Sequence, residues 1–168
     1  MNYQDVLDFH VKFKINHVDP VPHVPAKDVV DFRSAFLQEE LNEFTWACTM
    51  GDVAEAVDAL IDLVYVAYGT AILMGVTPEC WQACWNEVQR ANMSKERRES
   101  EEADPRSKRG HHLDVVKPDD WEPPDLETII KRYARGDNDV RPAQRRDPKR
   151  LEGQASSSTR LEDSRNDD

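Results

Sequence analysis

The 168-residue sequence has few cysteines and no long hydrophobic segment. Its longest run without a charged residue, 63–78, contains 16 residues, two glycines and a proline. A helix that crosses a bilayer needs about 20 apolar residues, so no membrane span is predicted. The chain does not open with a basic segment and an apolar core, so no signal peptide is predicted. The three cysteines are an odd number in apolar helical patterns, which predicts reduced core thiols in a cytoplasmic protein.

Basic residues are also scarce, since 22 of them stand against 33 acidic residues and give a net charge of −11. Residues 137–168 account for only −1 of that charge, so the acidic excess belongs to residues 1–136. Such a surface repels nucleic acid and anionic membranes. It would repel a nucleotide as well, unless metal ions reversed the local sign. We therefore expect no nucleic-acid partner and no membrane partner.

The sequence also lacks any stretch of alternating apolar and polar residues long enough to indicate a β-strand in a sheet. It therefore predicts an all-α fold. A short amphipathic helix over 3–15, with Val6, Phe9 and Phe13 on its apolar face, precedes a proline-rich extended arm. Two long helices and a third shorter one should then follow one another, over 28–50, 52–74 and from residue 77. Their expected boundary residues are Asp28, Gly51, Asp52 and Thr77.

The remaining residues predict little further structure. Residues 96–114 read as a loop, 115–120 as a short strand or turn, and 126–133 as a brief helix. No apolar pattern recurs after Gly136. We therefore predict one domain over 1–136 and a polar, disordered tail over 137–168.

Six carboxylates are concentrated in the two long helices. On the first helix Glu40 and Glu43 fall on the apolar stripe, and three acids share one face of the second. Acids on an inward face repel one another and lose hydration, which favours a bound cation. With no sulfur or imidazole in the cluster, the ligand type favours Mg²⁺, which Mn²⁺ can replace. The six residues are Glu39, Glu40, Glu43, Glu55, Asp58 and Asp62.

The residues alone leave alternatives open. A non-enzymatic helical interaction module with a solvated acidic face would show the same spacing, and Glu55 also fits a helix cap. A di-iron bundle protein needs Glu-x-x-His twice, and no histidine follows Glu43 or Asp58 at that spacing. The five histidines lie outside the three main helices, so no Ser-His or Cys-His catalytic pair is predicted.

The acidic motifs resemble those of the all-α nucleoside triphosphate pyrophosphohydrolases, the MazG-like superfamily. The paired signature is Glu39-Glu40-x-x-Glu43 followed by Glu55-x-x-Asp58. Similar stretches are Asp8-Phe9-His10, the run from Asp58 to Ala71, Ala91-Asn92-Met93-Ser94-Lys95 and Lys117…Trp121…Pro123-Pro124-Asp125. The resemblance covers roughly residues 3–133. It implies a four-helix module that functions as a homo-oligomer, a dimer or a tetramer.

The resemblance also implies an activity, the Mg²⁺-dependent hydrolysis of a nucleoside triphosphate to nucleoside monophosphate and pyrophosphate. The single-domain phage and bacterial members are the most similar, and their MazZ branch makes dGTP or GTP the first expected substrate. A pyrimidine deoxynucleotide is the alternative.

Residue roles follow from the same resemblance. The implied metal ligands are Glu40, Glu43, Glu55 and Asp58. Glu39, Glu40 and Glu43 are the implied catalytic residues, with Glu39 orienting or deprotonating the attacking water. The implied substrate-binding residues are Asn92, Lys95, Asp62 and Lys117. Only 11 residues separate the two motifs, which leaves open whether Asp62 reaches the metal.

Overall fold

The computed structural model describes residues 2–15, 19–97, 107, 111 and 113–136. Within these residues the fold is all-α apart from one small ribbon, as the sequence predicts. The elements are α1 (Asn2–Phe13), α2 (Lys27–Met50), α3 (Val53–Leu73), α4 (Pro78–Met93), β1 (Glu96–Arg97), β2 (Val115–Val116) and α5 (Leu126–Ala134). The predicted tail over 137–168 lies outside the described residues.

Helices α2 and α3 form an antiparallel hairpin around a two-residue turn. Gly51 ends α2 in the left-handed conformation, with φ +72°, and its N–H donates to the Cys48 carbonyl at 3.2 Å. The Asp52 carboxylate then caps α3 by accepting from the N–H groups of Ala54 and Glu55 at 3.1 and 3.2 Å. This short connection brings the acidic segments of the two helices side by side.

The start of α2 differs from the prediction. Asp28 is not the N-cap, because the helix begins at Lys27 and Ala26 occupies the cap position without a side-chain hydrogen bond. Lys27 Nζ instead pairs with an Asp31 carboxylate oxygen at 2.5 Å, one turn along the helix. Asp28 lies in the first turn, where its charge still interacts favourably with the helix dipole.

Helix α1 buries only part of its predicted apolar face. Tyr3, Val6 and His10 are buried, whereas Phe9 and Phe13 are 39% and 55% exposed. The Tyr3 hydroxyl donates to the Val76 carbonyl at 2.6 Å, and its ring packs against Tyr68 and Trp81. This hydrogen bond to a distant residue and these ring contacts determine which face of α1 is buried, because a buried hydroxyl needs an acceptor.

Helix α4 begins as the sequence predicts, and α5 packs against it. The Thr77 hydroxyl accepts from the Cys80 N–H at 3.2 Å, with Pro78 at the first helical position. The Asp125 carboxylate caps α5 by accepting from the Thr128 N–H at 3.1 Å. These local bonds explain why both helix starts could be predicted.

The ribbon of β1 and β2 lies partly in a segment that was predicted to be a loop. Its strands pair antiparallel, with Glu96 opposite Val116 and Arg97 opposite Val115. Val116 is 1% exposed and anchors the ribbon. Two residues per strand are too few to show a period in the sequence, so β1 could not be predicted.

The three cysteines are free thiols. Cys80 is buried and Cys84 is half-buried on α4, in agreement with the predicted core thiols. Cys48 is exposed, which corrects that prediction for one of the three. It lies on α2, where Leu41 is also open to solvent in the single chain.

A broad apolar surface, which we call the α1–α3 apolar face, remains exposed on the described chain. It consists of Phe9, Phe13, Val57, Leu60, Ile61 and Val64. A cavity of about 230 Å³ lies within it, lined mainly by aliphatic and tyrosine side chains. By length and composition alone α3 could cross a membrane, but helices that pack inside bundles share this property.

Candidate functional site

Glu40 is the buried centre of the acidic residues. Its side chain is 6% exposed, and among the described residues its Oε2 atom has no hydrogen-bond partner. Burial raises the pKa of Glu40, and the negative charges around it raise the pKa further. In order of decreasing effect these charges belong to Asp62, Glu43, Glu39 and Asp58. A buried, unpartnered carboxylate oxygen among anions has the electrostatics of a cation site.

The helical period explains how these five acids come to lie along one side of the hairpin. Glu39, Glu40 and Glu43 lie on about one turn of α2, and Asp58 and Asp62 lie on successive turns of α3. Glu40 precedes Gly51 by 11 residues and Asp62 follows Asp52 by 10, so the two lie at about the same level of the antiparallel hairpin, and Asp62 is the charge with the largest effect on Glu40. The four acids around Glu40 are exposed, which leaves the cluster accessible to water, cations and ligands.

Glu55 stands apart from the other five acids. It is exposed on the first turn of α3, where its N–H is held by Asp52, and its charge is not among those that raise the pKa of Glu40. Over the described ranges, no three Asp, Glu, His or Cys side chains converge closely enough to form a ready metal cage. The donor set still fits a hard divalent cation, because every donor is a carboxylate oxygen and one is buried without a partner.

The other predicted substrate-binding residues lie together at the end of α4. Lys95 Nζ donates to Asn92 Oδ1 at 2.8 Å. The ribbon register sets Lys117 beside Lys95, and the Lys117 ammonium lies 3.6 Å from the centroid of the Trp121 ring. Neither lysine is among the charges that act on Glu40. Within one chain the predicted site residues therefore form two groups, one on the hairpin and one at the end of α4.

A basic group that sequence reasoning missed lies on the same hairpin. Arg33 Nη2 donates to the Val66 carbonyl at 2.6 Å, and Arg33 Nε donates to Thr70 Oγ1 at 3.0 Å. We call these three residues the Arg33 clamp. A Cβ at Gly69 would lie 3.0 Å from both Arg33 Nη2 and His10 Nε2, so the glycine lets both side chains approach α3 closely. The sequence feature that could have indicated this group is an arginine within the apolar stripe of α2, two turns before Glu40.

His10 is the partner of this group on α1. It is 6% exposed, and among the described residues its Nδ1 atom has no hydrogen-bond partner. Burial lowers the pKa of His10, and the charge of Arg33 lowers it further, whereas the Ile15 backbone opposes the shift. No carboxylate counters the Arg33 charge among the groups that act on this imidazole. The folded protein therefore favours the neutral ring.

Acidification is expected to destabilise the protein through His10. A histidine whose pKa is lowered by folding binds its proton more tightly in the unfolded chain, so stability is lost as pH falls below about 6.5. Between about pH 7.5 and about pH 5.5, the melting temperature should fall further for the wild type than for His10→Gln. Both proteins carry the acidic cluster, so its contribution cancels in the comparison. Equal slopes would contradict the prediction.

Comparison with known families identifies a match over the N-terminal half of the chain. The family model of phosphoribosyl-ATP pyrophosphohydrolases matches residues 6–92, just over half of the chain. The matched span contains all six acids and the Arg33 clamp, includes Asn92 as its last residue, and ends before Lys95 and Lys117. No curated protein matches the chain.

Proposed function

From the chain's membership of the phosphoribosyl-ATP pyrophosphohydrolase family, within the MazG-like all-α superfamily, we propose a specific pyrophosphohydrolase reaction. Membership itself makes the protein a pyrophosphohydrolase of a nucleotide-like substrate. The finer proposal is hydrolysis of a nucleoside triphosphate between the α and β phosphates, with dGTP or GTP as the first candidate. The observation that carries it is Glu40, buried and unpartnered among four further acids.

A divalent cation belongs to this proposal. Mg²⁺, or Mn²⁺ in its place, would be held by Glu40, Glu43 and Asp58. Glu55, the fourth ligand that the resemblance implies, stands apart from them in the single chain. Bound there, it would polarise the phosphoryl oxygens and neutralise charge on the leaving pyrophosphate. The unpartnered Oε2 atom of Glu40 supports the assignment, since a polyanionic substrate would otherwise meet only negative charge at this cluster.

Two further acidic side chains would act on the attacking water and on the substrate. Glu39 is exposed beside Glu40 and would orient the attacking water and accept its proton as a general base. Asp62 would accept a hydrogen bond from a sugar hydroxyl at the same cluster. Water serves as the nucleophile in this proposal, so no covalent enzyme intermediate is required.

A second copy of the chain would complete the site. Asn92, Lys95 and Lys117 carry the donors and positive charge that phosphates need, but they lie at the end of α4 and do not act on Glu40. The exposed α1–α3 apolar face supports an assembly, because an apolar patch of this extent normally marks an interface. We therefore propose a homo-oligomer, a dimer or a tetramer, in which one chain's α4 faces another chain's acids.

Mixing two inactive variants tests the shared site. Glu43→Gln and Lys95→Ala proteins, unfolded together and refolded at equal amounts, should recover about a quarter of the wild-type activity. Half of the dimers would then be mixed, and each mixed dimer would contain one intact site. Light scattering should show at least a dimer for both variants and the wild type. An active monomer of about 19 kDa, or no recovery in confirmed mixed dimers, would contradict the prediction.

A substrate panel tests the proposed reaction. All nucleoside and deoxynucleoside triphosphates, together with phosphoribosyl-ATP as the second candidate that the family match suggests, are incubated with Mg²⁺ or Mn²⁺. The expected products are the monophosphate and pyrophosphate. Release of diphosphate and phosphate would refute cleavage between the α and β phosphates. No hydrolysis, combined with no thermal stabilisation by Mg²⁺, would favour the non-enzymatic interaction module.

A further inference from the structure

We propose that Arg33 is a positioning residue that fixes the register of α2 against α3 and so holds Glu40 opposite Asp62. The inference rests on the proposed function, in which Glu40 holds a cation and Asp62 binds the substrate beside it. Arg33 itself is not proposed to touch the cation or the substrate. Its effect would pass entirely through the relative position of the two helices.

The clamp is directional. Arg33 extends from α2, and both of its hydrogen bonds end on α3, at the Val66 carbonyl and at Thr70 Oγ1, one turn apart. Thr70 Oγ1 in turn donates to the same Val66 carbonyl at 2.8 Å. A planar guanidinium can satisfy these two acceptors in only one alignment of the helices. The apolar contacts between α2 and α3 are not directional and do not distinguish neighbouring registers as sharply.

The clamp lies close to the acids along the same seam. Arg33 precedes Glu40 by seven residues, or about 10 Å along α2, and Val66 follows Asp62 by four residues, or about 6 Å along α3. Because the helices run antiparallel, both steps lead from the clamp toward the same level of the hairpin. A slip of one helical turn would displace Asp62 by about 5.4 Å from Glu40.

Repulsion between the acids gives such a clamp a purpose. Asp62, Glu43, Glu39 and Asp58 all act unfavourably on ionised Glu40, so with no cation bound the like charges oppose the close approach of α2 and α3 at this level of the hairpin. Within the described part of the chain Arg33 forms no ion pair and does not neutralise this charge. Its guanidinium instead contacts the Phe36 ring, 5.3 Å from the centroid, and bonds across the helices. This arrangement suits alignment better than charge compensation.

Melting temperatures with and without Mg²⁺ separate positioning from plain stabilisation. Thr70→Val removes the hydroxyl at nearly constant shape, Thr70→Ser retains it, and Arg33→Lys keeps the charge without the planar fork. Wild type, Thr70→Ser and the surface control Lys27→Met should show the same Mg²⁺-induced rise. Thr70→Val and Arg33→Lys should need about tenfold more Mg²⁺ for the half-maximal rise, as when a partner of a metal ligand is lost.

Each outcome has a separate meaning. If Arg33 and Thr70 only stabilise the fold, their variants melt lower by the same amount with and without Mg²⁺ at an unchanged half-maximal concentration, and the inference is refuted. If the wild type shows no Mg²⁺-induced rise, the proposed metal function itself fails. Thr70→Val deletes a single hydroxyl, so the test remains available if Arg33→Lys does not fold.

Discussion

Replacing Glu40 with glutamine is expected to abolish hydrolysis and, in metal-free buffer, to raise the melting temperature. Folding raises the pKa of Glu40, so the ionised side chain at neutral pH disfavours the folded state. The penalty is present when the pH exceeds the ordinary pKa of a glutamate, and protonation of Glu40 at lower pH removes it. Glutamine has nearly the same volume and no charge, so it removes the penalty. It also removes a proposed metal ligand, and turnover should fall by more than about 100-fold.

The two effects are measured on the same protein. Without metal, Glu40→Gln should melt above the wild type, and with saturating Mg²⁺ the order should reverse, because only the wild type gains the full stabilisation. Glu127→Gln, at an exposed glutamate of α5, is the matched control and should change neither value. Substantial turnover by Glu40→Gln at saturating Mg²⁺ would contradict the assignment of this residue.

Gly75→Ala is expected to be strongly destabilising although it adds only one methyl group. Gly75 has φ +72°, and a Cβ there would lie 2.4 Å from the Val21 carbonyl oxygen and 2.7 Å from that of Asp19. Both are backbone atoms, and His23 N–H fixes this segment to the Met74 carbonyl at 2.9 Å. The left-handed conformation costs an alanine about 1–2 kcal/mol and the overlap about 1–3 kcal/mol more.

Gly51→Ala is the matched control for this prediction. Gly51 has the same φ of +72°, but nothing lies within 4 Å of its added Cβ. Denaturant unfolding should therefore show a loss of only about 1–2 kcal/mol for Gly51→Ala. Equal losses at the two positions would show that the segment beside Gly75 moves aside and that only the backbone conformation matters.

The parts of the fold that the sequence predicted depend on neighbouring residues. The lengths of α2 and α3 follow from their apolar period, and their junction follows from Gly51 and Asp52, whose bonds are all local. The acidic residues were identified for the same reason, since helical spacing alone brings Glu40 and Glu43 to one side of α2.

The parts that could not be predicted depend on distant contacts. The buried face of α1 is set by Tyr3 and Val76, which are 73 residues apart. The two hydrogen bonds of Arg33 in the Arg33 clamp link residues that are separated by 33 and 37 positions in the sequence. No local sequence pattern therefore predicts them. Spacing also could not rank Asp62 against Glu55, whereas the folded hairpin makes Asp62 the strongest charge on Glu40 and leaves Glu55 outside that group.

The three cysteine thiols are buried to different extents, so their reactivity can report on local opening and on association of the chain. Cys48 is exposed, whereas Cys80 is 0% exposed and burial raises its pKa to about 12, so an alkylating reagent near neutral pH should modify Cys48 first. Alkylation of Cys80 then requires α4 to open, and its rate measures how often that occurs. Slower alkylation of Cys48 at higher protein concentration would show that a second molecule covers that end of α2.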